Sequence, residues 1–271
     1  MKMPPKRVVA AAGFLLSLIG VGLAFWSYPN IADADHDDVQ LASIASVRAH
    51  QLTPGPITTV AHLAARGGCP TTTVSYQSDG LKTYALAMRP KTKMPTSGYP
   101  VIIFAHGYTD PTRYHTDNSQ YENMLTWFCS HDFLVLKPDY RGHGQSDGVA
   151  VNGLYSPSDT YDVLNLAASL PNYAPADPHH IALVGHSMGG GVVLRAAIAP
   201  HGLPFTAVVT IAGAVDSLTN MTYHWQGHVP PDVAIKRNQI IRQEGPPNQN
   251  PGYWHDASAT NYLASRKGGY K

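Results

Sequence analysis

Residues 185–189 read Gly185-His186-Ser187-Met188-Gly189, and the residues on both sides decide what that pentapeptide can be. Upstream, Ile181-Ala182-Leu183-Val184 is a short apolar run of the kind that forms a buried strand. Downstream, the stretch from Gly190 to Ala197 has helical composition. A G-x-S-x-G between strand and helix is the setting of a nucleophile elbow, a sharp turn that lifts a serine Oγ above a sheet. Glycines flank such a serine because its strained backbone leaves no room for neighbouring side chains. The plainer reading makes Ser187 the N-cap of a helix over 188–199.

The rest of the chain repeats the strand–helix alternation. Thr71–Gln77 and Leu81–Met88 flank the hairpin signal Ser78-Asp79-Gly80. Val101–Ala105, Phe133–Leu136 and Ala207–Ile211 are further apolar strands. Helical spacing runs over Ser119–His131, with Tyr121, Met124, Leu125 and Phe128 on one face, and over Asp159–Leu170. Residues 216–252, rich in Pro, Asn, Gln and aromatics, read as a cap-like insertion. The expectation is one α/β domain over 71–271, a mostly parallel sheet with helices on both faces. At 271 residues and 44% hydrophobic content the chain can bury such a core.

The N-terminus differs. Lys2, Lys6 and Arg7 precede an apolar stretch from Val8 to Trp26. Residues 1–30 read as a signal anchor or a cleavable signal peptide, and either implies export, with membrane attachment in the first case. Residues 31–70 read as a linker or N-terminal extension with a short helix around Val39–Val47. Its Asp33-x-Asp35-x-Asp37 begins like a calcium loop, but Asp38 stands where glycine is needed, so the run is read as solvated. A net charge of +1 supplies no electrostatic reason for a nucleic-acid partner. Cys69 and Cys129 lack metal-site spacing and are either a disulfide or two separate thiols.

If Ser187 is a nucleophile, the developing oxyanion needs backbone donors. The N–H of Met188 is one, and that of Tyr108, in His106-Gly107-Tyr108 after the Val101–Ala105 strand, is the natural second. In Asp139-Tyr140-Arg141-Gly142-His143-Gly144-Gln145-Ser146, Asp139 and Arg141 are expected to organise a loop near the site. A phosphate loop is disfavoured there, because Asp147 takes the place of the last glycine. His143 and His186 are read as structural or pocket-lining, the latter expected to point away from Ser187 Oγ.

These blocks together, HGY, PDYRGHGQSDG and GHSMGG, resemble the α/β-hydrolase superfamily. The resemblance is nearest to its prolyl-oligopeptidase-related branch of dipeptidyl-aminopeptidase and acylaminoacyl-peptidase-like enzymes, and it runs from about Thr72 to Tyr262. It implies a serine hydrolase of small ester or peptide substrates that needs no cofactor or metal. In that family the acid follows the seventh strand and the histidine the eighth. Residues 254–263 resemble the helix entry before the seventh strand, and only 264–271 follow. The expectation is therefore a C-terminally incomplete sequence without the last strands, whose Ala207–Ile211 strand lies at an open edge. Asp216, with His224, His228 or His255 downstream, is the substitute acid if the triad is rebuilt from residues present. The rival reading is a catalytically inactive hydrolase-fold binding protein.

Overall fold

A computed structural model describes residues 43–151, 153–225 and 230–263. All of these residues belong to one compact unit, Asp35–Lys271. The N-terminal apolar segment, the aspartate run and His228 lie outside them. Among the described residues no helix is long and apolar enough to cross a membrane.

The elements run α1 (Ile44–Ala49), β1 (Thr58–Arg66), β2 (Cys69–Ser78), β3 (Leu81–Met88), β4 (Tyr99–Ala105), α2 (Glu122–Ser130) and β5 (Leu134–Pro138). They continue with α3 (Ser158–Ser169), β6 (Ala176–His186), α4 (Met188–Ile198), β7 (Phe205–Ile211), α5 (Leu218–Tyr223), α6 (Pro231–Glu244) and α7 (Pro251–Asp256). The strands form one seven-stranded sheet in the order β1-β2-β3-β5-β4-β6-β7. Pairs β5–β4, β4–β6 and β6–β7 are parallel, while β1–β2, β2–β3 and β3–β5 are antiparallel. The sheet is thus more mixed than expected. A meander of short connections must run antiparallel, and only the strand–helix units return parallel. Residues 31–70 are also more than a tether: β1 pairs with β2, and Ile44 and Val47 of α1 are buried. Residues 216–252 hold α5 and α6.

Strand alternation assigns the two faces. Val101, Ile103, Ala105, Leu134 and Leu136 join α3 and α4 in one core, through Val163, Leu164, Val192 and Val193. Ile102, Phe104 and Val135 point the other way and pack with Leu125 and Cys129 of α2. Helices therefore cover both faces. Among the described residues β1 and β7 are the two edge strands, and Val209 on β7 is exposed.

Cys69 and Cys129 are joined in a disulfide that ties the start of β2 to α2 across a sequence separation of 60. Both residues are buried in the second core. In the chain-entropy account a loop of this length is worth about 4 kcal/mol. We expect the Cys69→Ser/Cys129→Ser double variant to lose most of that in urea unfolding. A loss under ~1 kcal/mol would contradict the bridge's stabilising role.

Buried charge ties the N-terminal segment to the domain. Arg141 donates to both oxygens of the fully buried Asp162 and, from Nη2, to Asp79 Oδ2 at 2.8 Å. Asp162 Oδ1 also accepts from Ser78 Oγ at 2.6 Å, so this buried carboxylate is well supplied with donors. The other Asp79 oxygen meets His50 Nε2 at 2.9 Å, and the His50 ring stacks on Tyr161. Burial pushes the Asp79 carboxyl up, but hydrogen bonds from His50 and Arg141 outweigh it and hold the group at about 2.

Candidate active site

β6 ends at His186 and α4 begins at Met188, so Ser187 alone makes the turn, at φ 52° and ψ −120°. That left-handed conformation costs a non-glycine residue about 1–3 kcal/mol, and surrounding structure must hold it. Ser187 N–H donates to Ile211 O at 3.0 Å. Its carbonyl accepts from Gly190 and Ala214 N–H, both at 2.9 Å. The glycines permit the close approach: a Cβ on Gly185 would lie 2.2 Å from Gly189 O, and one on Gly189 2.1 Å from Ala105 O. Met188 opens α4, so its N–H has no acceptor within the helix.

Next to the elbow, the loop after β4 begins with a fully buried His106, whose Nδ1 donates to Gly107 O at 2.7 Å. Burial holds the His106 pKa well below the ordinary histidine value. Tyr140 Oη donates to His106 O at 3.1 Å, and the His106 ring stacks on Tyr114. Beneath lies a buried polar cluster. Asp139 accepts from Tyr114 Oη at 3.0 Å and from Thr116 Oγ1, and Lys137 Nζ donates to Tyr114 Oη at 2.6 Å. Burial raises Asp139 to about 6 against the pull of Lys137, and lowers Lys137 to about 8 against the pull of Asp139. His143 is buried too, with Nδ1 at 3.2 Å from Arg141 O, and burial lowers its pKa. His186 Nδ1 is bonded to Tyr121 Oη at 2.8 Å.

A cavity of about 690 Å³ opens over the elbow, and Ser187, Met188, Tyr108, Asp216 and His224 all line it. Most of the remaining wall is apolar: Leu154, Val215, Met221, Trp225 and Val233. Among the described residues the wall has one acidic side chain, Asp216, and no Lys or Arg. Asp216 precedes Ser217, the N-cap of α5, and accepts from Ser217 N–H at 2.6 Å and Asn220 Nδ2 at 3.1 Å. Among the described residues no hydrogen bond links Ser187 Oγ to a histidine, or Asp216 to His224. His255 is exposed on α7 and is not on the cavity wall. Sequence reasoning missed Tyr121 as a site residue. In the sequence it fits one helix face with Met124, Leu125 and Phe128, whereas it stands in the left-handed region at φ 68°, one residue before α2.

Residues 99–247, more than half of the chain, match the family model Hydrolase_4, described as serine aminopeptidase, S33. The chain is 33% identical over 102 residues to a non-heme chloroperoxidase of Streptomyces lividans, covering 37% of this chain and 32% of that protein. It is 32% identical over 93 residues to a monoacylglycerol lipase of Mycolicibacterium smegmatis, covering 34% of this chain and 30% of the lipase. The chain thus spans about a third of the length of these relatives. In fold it is similar to an acetyl xylan esterase from Paenibacillus sp. R4, at a TM-score of 0.57 and 16% identity over 84% of this chain and 74% of the esterase. An elbow serine between parallel strand and helix, on a sheet shared with that esterase and within the matched stretch, leads to one conclusion: the chain belongs to the serine aminopeptidase S33 family of the α/β-hydrolase superfamily.

Proposed function

We propose that this chain is the core of a serine hydrolase that cleaves esters of apolar acids through an acyl-enzyme on Ser187. The observation that carries the reading is the strained turn that presents Ser187 to an apolar cavity. Ser187 Oγ attacks the ester carbonyl, giving its proton to a general base that lies outside its hydrogen-bond contacts among the described residues. The N–H groups of Met188 and Tyr108 receive the developing oxyanion, the alcohol leaves with that proton, and water then releases the acid and restores Ser187. The apolar wall takes the acyl chain, and Asp216, with no Lys or Arg among the described residues of the wall, repels substrates with a free carboxylate. The lipase and the esterase among the similar proteins support an ester substrate over a peptide. No cofactor enters this chemistry. The Cys69–Cys129 bridge supports export as part of the same reading, since disulfides persist in oxidising compartments.

One observation favours a second reading, a non-catalytic binder: the described residues hold no hydrogen-bonded base for Ser187. A panel of p-nitrophenyl esters from acetyl to decanoyl, run beside aminoacyl anilides, separates the two. We expect turnover of esters, rising with acyl length to the medium chains, and little cleavage of anilides. Saturable binding of the esters without release of p-nitrophenol would replace the hydrolase with the binder.

A further inference from the structure

Tyr121 stands between the two loops on which the proposed reaction depends. β4 and β6 are parallel neighbours whose last register pair is Ala105 with Gly185. Beyond it His106-Gly107-Tyr108 leaves β4, and His186, still paired with Ile211 of β7, leads into Ser187-Met188, with no further β4–β6 pairing to set their separation. Tyr121 Oη fills that gap. It accepts from Gly107 N–H at 3.1 Å and meets His186 Nδ1 at 2.8 Å, so one oxygen touches the residue before each proposed working group.

Hydrogen-bond capacity fixes the direction. A phenolic hydroxyl has one proton and two lone pairs. Gly107 N–H and Gln120 Nε2, the latter at 3.4 Å, donate to the oxygen, which leaves its proton for His186 Nδ1. Packing is equally specific: a Cβ on Gly107 would lie 3.0 Å from His186 Nδ1, 3.1 Å from Ser187 Cβ and 3.1 Å from Tyr121 Oη. The phenol ring is wedged against Phe104 at 4.8 Å and His186 at 5.2 Å between ring centres. Holding the ring there requires φ 68° at Tyr121, a conformation unfavourable for a bulky side chain. The Tyr121 carbonyl accepts from the N–H groups of Met124 and Leu125, both at 2.9 Å, which anchors the strained residue to the first turn of α2.

We propose that Tyr121 is a positioning residue, a hydroxyl clamp that sets the distance between Ser187 and the Tyr108 oxyanion donor. It deepens the serine-hydrolase reading and rests on it for its effect on rate, while the clamp itself is a property of two loops and can be measured without turnover.

The experiment uses the full chain and Tyr121→Phe, which keeps the ring and removes the oxygen. Tyr99→Phe, which removes the hydroxyl bonded to Thr92 O beside the far end of β4, is the control. By amide hydrogen exchange we expect residues 105–110 and 184–190 to exchange about 10-fold faster together in Tyr121→Phe and to be unchanged in Tyr99→Phe. With a p-nitrophenyl ester we expect kcat to fall about 30-fold in Tyr121→Phe, with KM within about threefold, the signature of a lost transition-state interaction. Unchanged exchange in the two loops overturns the clamp. So does a rise in KM at unchanged kcat. A wild-type chain that turns over no ester overturns the hydrolase reading alone, and the exchange measurement then decides the clamp by itself.

Discussion

Ser187→Ala is expected to lower ester turnover by about 10⁴-fold or more, leaving only what cavity binding and backbone donors supply. The argument is geometric. Ser187 is the residue at which the chain turns from β6 into α4, and it lines the cavity with Met188 and Tyr108. Alanine keeps the same Cβ and hydrogen bonds through the same backbone groups, so the Ser187→Ala protein melts close to wild type. Ser187→Gly is the informative companion. It loses turnover equally, yet at φ 52° glycine is released from the strain that a side chain imposes. We expect a gain of about 1 kcal/mol, or roughly 2–4 °C in Tm for a domain of this size. Retention of most turnover in Ser187→Ala would remove the elbow from the chemistry. A Ser187→Gly protein less stable than wild type would show that the turn is not strained.

Gly189→Ala is expected to be among the most damaging single methyls in the domain. Its Cβ would lie 2.1 Å from Ala105 O and 2.6 Å from both Ala105 C and His106 O. Those atoms belong to the last residue of β4 and the residue after it, and β4 is hydrogen-bonded into the interior of the sheet and has no free space to retreat. Helix α4 must therefore tilt away and open the core made by Val192 and Val193. Overpacking commonly costs ~1–3 kcal/mol, and a backbone collision belongs at the top of that range or beyond. Thermal melting is expected to show a Tm lower by about 6–12 °C, with ester turnover falling as well. Gly252→Ala is the control: nothing lies within 4 Å of that Cβ, and the residue is in helix α7, so the change is expected to be neutral or slightly stabilising. A Gly189→Ala protein as stable as wild type would mean that the elbow is loosely packed.

The two variants also show which parts of this protein are legible locally. Both glycines of the elbow, the strands before and after it, and the sequence of strand–helix units follow from periodicity and turn chemistry, because each depends on neighbours in the chain. Ser187, Met188 and Tyr108 on one cavity wall follow from the same pattern, since the ends of parallel strands meet at one edge of a sheet. β1 was not legible: its residues are largely exposed and do not alternate, so an edge strand reads as a linker. The start of α2 was misplaced because Tyr121 fits the helical period, while its left-handed backbone has no compositional sign.

What the sequence determined by itself is the α/β framework and the turn that carries Ser187, since short-range sterics and alternating burial suffice for both. Only the tertiary structure decided that Cys69 bonds Cys129, that Arg141 neutralises the buried Asp162 and reaches Asp79, and that Tyr121 joins the loops after β4 and β6. Each of these joins groups far apart in the chain. Their partners are chosen by which strands the sheet places side by side, and no local pattern records that choice.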